Sequence, residues 1–267
     1  MEKKRLLYVT QEMDPYLVLT EAGNIVTRLA PYINDNGLEV RVLMPRFGII
    51  NERRNRLHEV VRLSGINIII DNDDYPLIIK VASLPGARIQ VYFLDNDEFF
   101  KRKQVFEDEE GVAYPDNQDR MIFFCKGALE TVKKFGWPPD VVHCHGWMTS
   151  LIPFYLKTVY KNDPVFKNSK VIFSIYDKVL DSSFSDDFFK KAAINSLKSD
   201  QLSAFKNGDG ISLHKGAIQF ADGLIQGSPT IDQNLMSAIE ALKKPFIQTP
   251  EEDFLQTYID FYKTILA

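Results

Sequence analysis

The chain has 267 residues, 45% of them hydrophobic and 25% charged, enough to bury a large core and within the range of one or two globular domains. Lys and Arg number 32 against 36 Asp and Glu, a formal charge of −4; this excludes a bulk electrostatic draw to nucleic acid or an anionic membrane and leaves small molecules or neutral polymers as partners. Two cysteines exclude a disulfide framework, the opening MEKKRLL carries no signal-peptide core, and no apolar run reaches the ~18 residues of a membrane helix, so a cytoplasmic setting is expected.

Arg5 to Thr10 (RLLYVT) has the unbroken apolar character of a strand buried on both faces, and it ends in the polar turn Gln11-Glu12-Met13-Asp14-Pro15. Ile25, Leu29, Tyr32 and Ile33 recur at helical spacing, Asn36-Gly37 supplies the stop, and Glu39 to Met44 (EVRVLM) is a second buried strand. The three form a βαβ unit, whose strands are parallel. From 57 to 94 the pattern changes to HEVVRL, INIII, PLIIKVAS and ARIQVYFL, separated by turn residues: an antiparallel meander whose last strand can join the main sheet. Residues 95–116 are rich in charge but hold Phe99, Phe100, Phe106 and Tyr114, which predicts an exposed irregular excursion pinned by aromatics. The cluster Arg53-Arg54-Asn55-Arg56 reads as a solvated loop, or with Arg46 as a phosphate seat.

Asp116 or Asn117 caps a helix with a broad apolar stripe from Met121 to Val132, ended by Gly136. Then comes the stretch that stands out, PPDVVHCHGW: a short β-branched run giving way to two His, a Gly and a Trp. Ligands of open parallel sheets bind at the carboxyl ends of strands, and alternation puts His143 and His145 on one face with Cys144 on the other. Downstream, 151–160 is a helix, KVIFSIY (170–176) a buried strand, 186–206 a polar helix, 212–220 a short helix and GLIQG (223–227) the last strand. Helices over 232–244 and 251–266 finish the chain; the last is expected on the flank of the sheet. The whole, 1–267, reads as one α/β Rossmann-like domain with a mostly parallel sheet covered on both faces.

Four motifs in order carry a family resemblance: LLYVTQEMDPYLVL with GLEVRVLMPRFG; Asp116-Asn117-Gln118-Asp119-Arg120 before Phe123; PPDVVHCHGWMTSLIPFYLK; and KGAIQFADGLIQGSP. Together they resemble the N-terminal domain of bacterial glycogen and plant starch synthases, retaining glucosyltransferases of the GT-B fold. The resemblance implies transfer of glucose from ADP-glucose or UDP-glucose to an α-glucan, with His145 and Glu12 contacting the sugar and Asp116, Asn117, Arg120, Trp147 and Tyr176 around it. No metal or other cofactor is expected, since His143 and His145 lack a third ligand in sequence. Departures from the family pattern fall on the chemistry. The family's K-T-G-G-L-G loop reads Val18-Leu19-Thr20-Glu21-Ala22-Gly23, its H-D-W-H reads His145-Gly146-Trp147-Met148, and its F-T-I-H-N reads Phe173-Ser174-Ile175-Tyr176-Asp177. A diphosphate needs a cation and bare backbone N–H groups, whereas Val18 and Glu21 supply neither.

Two functions follow as alternatives: a glucosyltransferase domain that is impaired or dependent on a partner carrying the family's second nucleotide-binding domain, and a non-catalytic glucan-binding or regulatory protein. For several residues the structural role stays open beside the functional one. Glu12 binds sugar hydroxyls or caps the helix after it, Trp147 stacks on a sugar or anchors its loop, and Arg120 touches ligand or pairs with Asp116 or Glu130. Finally, Tyr16, Leu17, Val18, Leu19, Trp147, Met148 and Tyr176 sit on loops after parallel strands, which predicts an exposed apolar surface for a protein partner or self-association.

Overall fold

The computed structural model describes residues 3–181, 183–194, 197, 199–206, 208–248 and 254–267. Its centre is β1 (Arg5–Thr10), in which Leu6, Leu7, Tyr8 and Val9 are all fully buried. The helix α1 (Glu21–Asp35) returns the chain to β2 (Glu39–Pro45), parallel to β1. The meander follows as β3 (His58–Glu59), β4 (Ile66–Ile70), β5 (Asp73–Ser83) and β6 (Gln90–Asp95). Its last strand, β6, does join the main sheet, parallel to β2, and β5 extends the sheet antiparallel to β6.

Next come α2 (Asp97–Phe100), α3 (Asn117–Phe135), β7 (Val141–His145), a 3-10 turn at Trp147–Thr149 and α4 (Leu151–Lys157). The chain then forms β8 (Lys170–Ile175), α5 (Phe188–Ala192), α6 (Gly210–Phe220), β9 (Gly223–Gln226), α7 (Gln233–Leu242), β10 (Phe246–Gln248) and α8 (Phe254–Leu266). The strand order is β10-β9-β8-β7-β1-β2-β6-β5-β3, with β4 on β5. The fold is therefore α/β, with a mostly parallel sheet, as the sequence predicts.

Register sorts the two faces. Tyr8 lies opposite His143, and Thr10 opposite His145, which in turn lies opposite Ser174, so these side chains share one face. That face is covered by α1 and α8, which contact each other. Cys144 faces the other side, where Cys125 of α3 donates to the Met148 carbonyl at 3.0 Å. Both cysteines are buried and unbridged.

Several elements differ from the sequence reading. The excursion over 95–116 is folded onto the core: Asn96 caps α2 through its side chain, Glu107 and Ala113 form a β-bridge, and Phe99 and Phe100 are buried. The polar helix expected over 186–206 is broken into α5 and a 3-10 stretch at Ser199–Phe205, with residues 195, 196 and 198 outside the described residues. Side chains from neighbouring helices end α5 by taking its carbonyls, Lys126 those of Lys191 and Ala193 and Tyr155 that of Ala192. A tenth strand, β10, lies beyond the one read as last; at three residues it carries no period to detect. Residues 251–253 of the last expected helix fall outside the described residues.

The last helix also lies elsewhere than expected. Instead of the sheet's flank, α8 packs on the face itself, with the Tyr262 hydroxyl 3.0 Å from that of Tyr8 and 2.7 Å from His143 Nδ1. At β9, Gly223 leaves room for Ile265 and Phe261, since a Cβ there would stand 2.7 Å from Ile265 Cδ1. Removing the Tyr262 hydroxyl strands two buried polar groups, each costing about 1–3 kcal/mol when unpaired. Tyr262→Phe is expected to lower the unfolding free energy in urea by at least about 1 kcal/mol, whereas Tyr32→Phe, whose hydroxyl meets Gln256 at the surface, changes it by under about 0.5. Equal stability of the two variants would contradict this docking.

Candidate functional site

The carboxyl ends of β1, β7, β8 and β9 bring together Gln11, Glu12, His145, Tyr176 and Ser228 beside the N-terminus of α1. Within this edge both imidazoles are fully buried, their ring centres 4.0 Å apart. His143 meets Tyr262 through Nδ1 and the Ser174 hydroxyl through Nε2 at 2.8 Å. His145 meets the Tyr176 hydroxyl through Nδ1 at 2.8 Å, and its Nε2, buried, has no hydrogen-bond partner among the described residues. Burial pushes the His145 imidazole down to about 3, and burial together with its neighbour holds His143 well below its ordinary value. Both rings are neutral at physiological pH.

Gly146, with φ +82°, sits where the family motif has Asp. A Cβ there would lie 2.5 Å from Gln11 Oε1, so the Gln11 carboxamide occupies the hollow and accepts from the Met148 N–H at 3.5 Å. Similarly, Tyr176 packs against Gly227, where a Cβ would stand 2.5 Å from its ring.

Glu12 faces α1. Its carboxylate accepts from the Leu19 N–H at 2.5 Å, the Thr20 N–H at 2.7 Å and the Thr20 hydroxyl at 2.7 Å, while Thr20 caps the helix. Burial raises the Glu12 pKa and these donors lower it, with a net upward shift. On the first turn of α1, Glu21 bonds the Ser228 hydroxyl, which also accepts from the Asp177 N–H at 3.0 Å.

The remaining sequence-predicted residues lie on the far side of Trp147. Trp147 is buried, its ring 4.9 Å from Phe106. Phe106, Phe47, Phe100 and Tyr114 surround the fully buried Arg120 guanidinium at 5.5 to 5.9 Å. Arg120 donates to the carbonyls of Phe99 and Val105 and to Asn117 Oδ1, and its pKa is pushed down to about 10 by burial and by Arg102. Asp116 stands at the N-cap of α3 without capping it and instead takes a bidentate pair from Arg102. Asn117 donates to the Phe106 carbonyl at 2.7 Å. These residues hold the 95–116 segment against Trp147. Arg46, considered for a phosphate with Arg53, Arg54 and Arg56, is instead paired with Asp95 at 3.1 Å and Glu52 at 3.3 Å.

The expected apolar surface is not there. Tyr16, Leu17, Trp147, Met148 and Tyr176 are buried, and of the set only Val18 (44%) and Leu19 (40%) are exposed. The loop ends turn inward over the strands, where Trp147 packs on Phe106 and Tyr176 against Gly227. Sequence reasoning passed over Gln11, Ser174, Ser228, Tyr8 and Tyr262. Ser174 and Tyr8 share the alternation that picked out the two His; Tyr262, 119 residues from His143, gives no local signal. Among the described residues no group of three or more His, Cys, Asp or Glu is placed to hold a metal, and no helix is long and apolar enough to cross a membrane.

Residues 5–244 match the family model of the starch synthase catalytic domain. The glycogen synthase of Chlorobium chlorochromatii is 38% identical over 188 residues, 70% of this chain and 38% of that protein. That of Chlorobaculum parvum is 32% identical over 238 residues, 89% of this chain and 48% of that protein. The catalytic domain of starch synthase IV from Arabidopsis thaliana, solved bound to ADP and acarbose, superposes with a TM-score of 0.76 at 20% identity over 92% of this chain and 51% of that one. The chain belongs to the starch synthase catalytic domain family. It spans between a third and a half of the length of the curated relatives it matches.

The neutral imidazoles make stability depend on pH. Unfolding frees His143, His145 and the equally buried His214, held down at about 4, to take up protons below their ordinary pKa of about 6.5. The unfolded chain then binds more protons than the folded one, so stability decreases as pH is lowered, by up to about 1.4 kcal/mol per unit for each His. Glu12, raised in the fold, acts oppositely, its contribution being lost as pH rises through its folded pKa. Urea unfolding is expected to show decreasing stability from pH 7 to 5.5, with a slope smaller by about one proton in His145→Gln. A flat profile, or the same slope in the variant, would contradict neutral burial.

Proposed function

We propose that the chain acts in α-glucan synthesis as a glycogen- or starch-synthase-type glucosyltransferase domain. In this reading it meets the glucan at the carboxyl edge of the sheet and handles the nucleotide sugar weakly by itself. The observation that carries it is His145 Nε2, a buried imidazole nitrogen left without a partner at the end of the motif strand. An unpaired buried polar atom costs free energy that an incoming hydroxyl removes. Family membership over residues 5–244, and a solved relative bound to both ADP and acarbose, support an oligosaccharide and a nucleotide as the two ligand classes.

His145 contacts the sugar in this reading, Glu12 and Tyr176 flank it, and Trp147 walls it from behind. Asp116, Asn117 and Arg120 act indirectly, by fixing the segment that packs Phe106 on Trp147. ADP-glucose or UDP-glucose is the donor, in a cytoplasmic setting. Weak donor binding rests on Val18 and Glu21: loss of a charge-assisted phosphate contact lowers affinity about tenfold to over a hundredfold.

The test has two parts. In native gels containing glycogen, wild-type chain is expected to be retarded and His145→Ala to run freely. Calorimetry with ADP-glucose should show no micromolar binding, and glucose transfer to glycogen should be low for the chain alone and rise when cell extract is added. Retardation without transfer under any condition would favour a glucan-binding regulator, and absence of both would sink the proposal.

A further inference from the structure

The N-terminus of α1, where backbone N–H groups and the helix dipole would welcome an anion, is already filled by the Glu12 carboxylate, with Glu21 beside it. Glu12 takes the Leu19 and Thr20 N–H groups, and Glu21 reaches across to Ser228 at the end of β9. Ser228 is buried, and through it Glu21 is tied to Asp177 after β8. The hydrogen-bond partners of Glu12 and Glu21 are N–H groups, hydroxyls and an amide, none of them a cation. Asp177 adds a third carboxylate, 3.5 Å from the same hydroxyl. The uncharged groups next to this cluster recognise hydroxyls: Gln11, which donates to Glu12 at 3.4 Å, and Tyr176 with the His145 it bonds.

We propose that Glu21 is a specificity-determining residue: tied to Ser228 beside the head of α1, whose N–H groups Glu12 already takes, its charge makes the sugar site reject diphosphates in favour of uncharged saccharides. The proposal rests on the reading of this edge as the sugar site. Its physical basis is charge. Two like charges close together repel by several kcal/mol in a partly buried site, and an isosteric amide removes that repulsion without changing shape. The tie to Ser228 positions the carboxylate but is not itself the barrier. Losing the hydroxyl while keeping the charge leaves the site closed.

Four proteins decide this: wild type, Glu21→Gln, Glu21→Gly and Ser228→Ala, each titrated calorimetrically with ADP and, as competitor, inorganic pyrophosphate. Both Glu21 variants are expected to bind ADP at least about tenfold more tightly than wild type, with pyrophosphate competing, and Ser228→Ala to bind no better than wild type. The amide variant guards against a folding defect in the glycine one. ADP affinity unchanged in both Glu21 variants, or raised equally in Ser228→Ala, overturns the assignment. Maltoheptaose titrated into the same proteins reads the glucan proposal separately. Its failure to bind any of the four, wild type included, overturns that proposal alone, since the ADP comparison still decides Glu21.

Discussion

Two imidazoles lie buried on one face of a parallel sheet, and each nitrogen there must find a partner or bear the cost of lacking one. The pairing of β1 with β7 puts His143 and His145 on one face, four ångströms apart, under a cover of helices. Burial keeps both uncharged. Hydroxyls answer the constraint, because a hydroxyl can donate or accept as the tautomer requires. Tyr8 from β1, Ser174 from β8, Tyr176 after it and Tyr262 from α8 supply them. The position of α8 on the sheet follows from this need as much as from its apolar stripe.

The same geometry shapes the edge where function is proposed. At the ends of the central strands the network is saturated on His143 and one partner short on His145. Beyond it the chain places carboxylates rather than cations, with Glu12 and Glu21 closing the head of α1. An edge built from neutral imidazole, phenol, amide and carboxylate suits the hydroxyls of a sugar, and it is a poor seat for a diphosphate. The departures from the family pattern at Glu21 and Gly146 are each matched by a neighbouring side chain. Gln11 fills the hollow left by Gly146, and Ser228 receives Glu21.

Much of the fold was legible because buried parallel strands announce themselves as short apolar runs between turn residues. RLLYVT is read with the bounds β1 has, and EVRVLM and KVIFSIY differ from β2 and β8 by one residue. Alternation alone put both His on one face. What could not be read was long-range or non-periodic. Tyr262 closes the imidazole network from the far end of the chain. The polar stretch after β8 breaks because Lys126 and Tyr155 take the carbonyls that would have extended α5. Burial of the loop aromatics was also hidden: Trp147 and Tyr176 look solvent-facing by position, yet Phe106 and Gly227 give them surfaces to pack on. Arg120 illustrates the limit of reading a residue by type, since its guanidinium meets carbonyls, an amide and rings in place of an acid.

The central claim is that the ends of β1, β7 and β8 form the glucan site. A backbone and histidine chemical-shift map of the full chain during maltoheptaose titration tests it most directly. The account expects the largest changes at Gln11, Glu12, His145, Gly146 and Tyr176. Saturable changes confined elsewhere, such as the cavity of about 430 Å³ lined by Ile69, Lys126, Glu130 and Tyr160, with the β7 end silent, would contradict it.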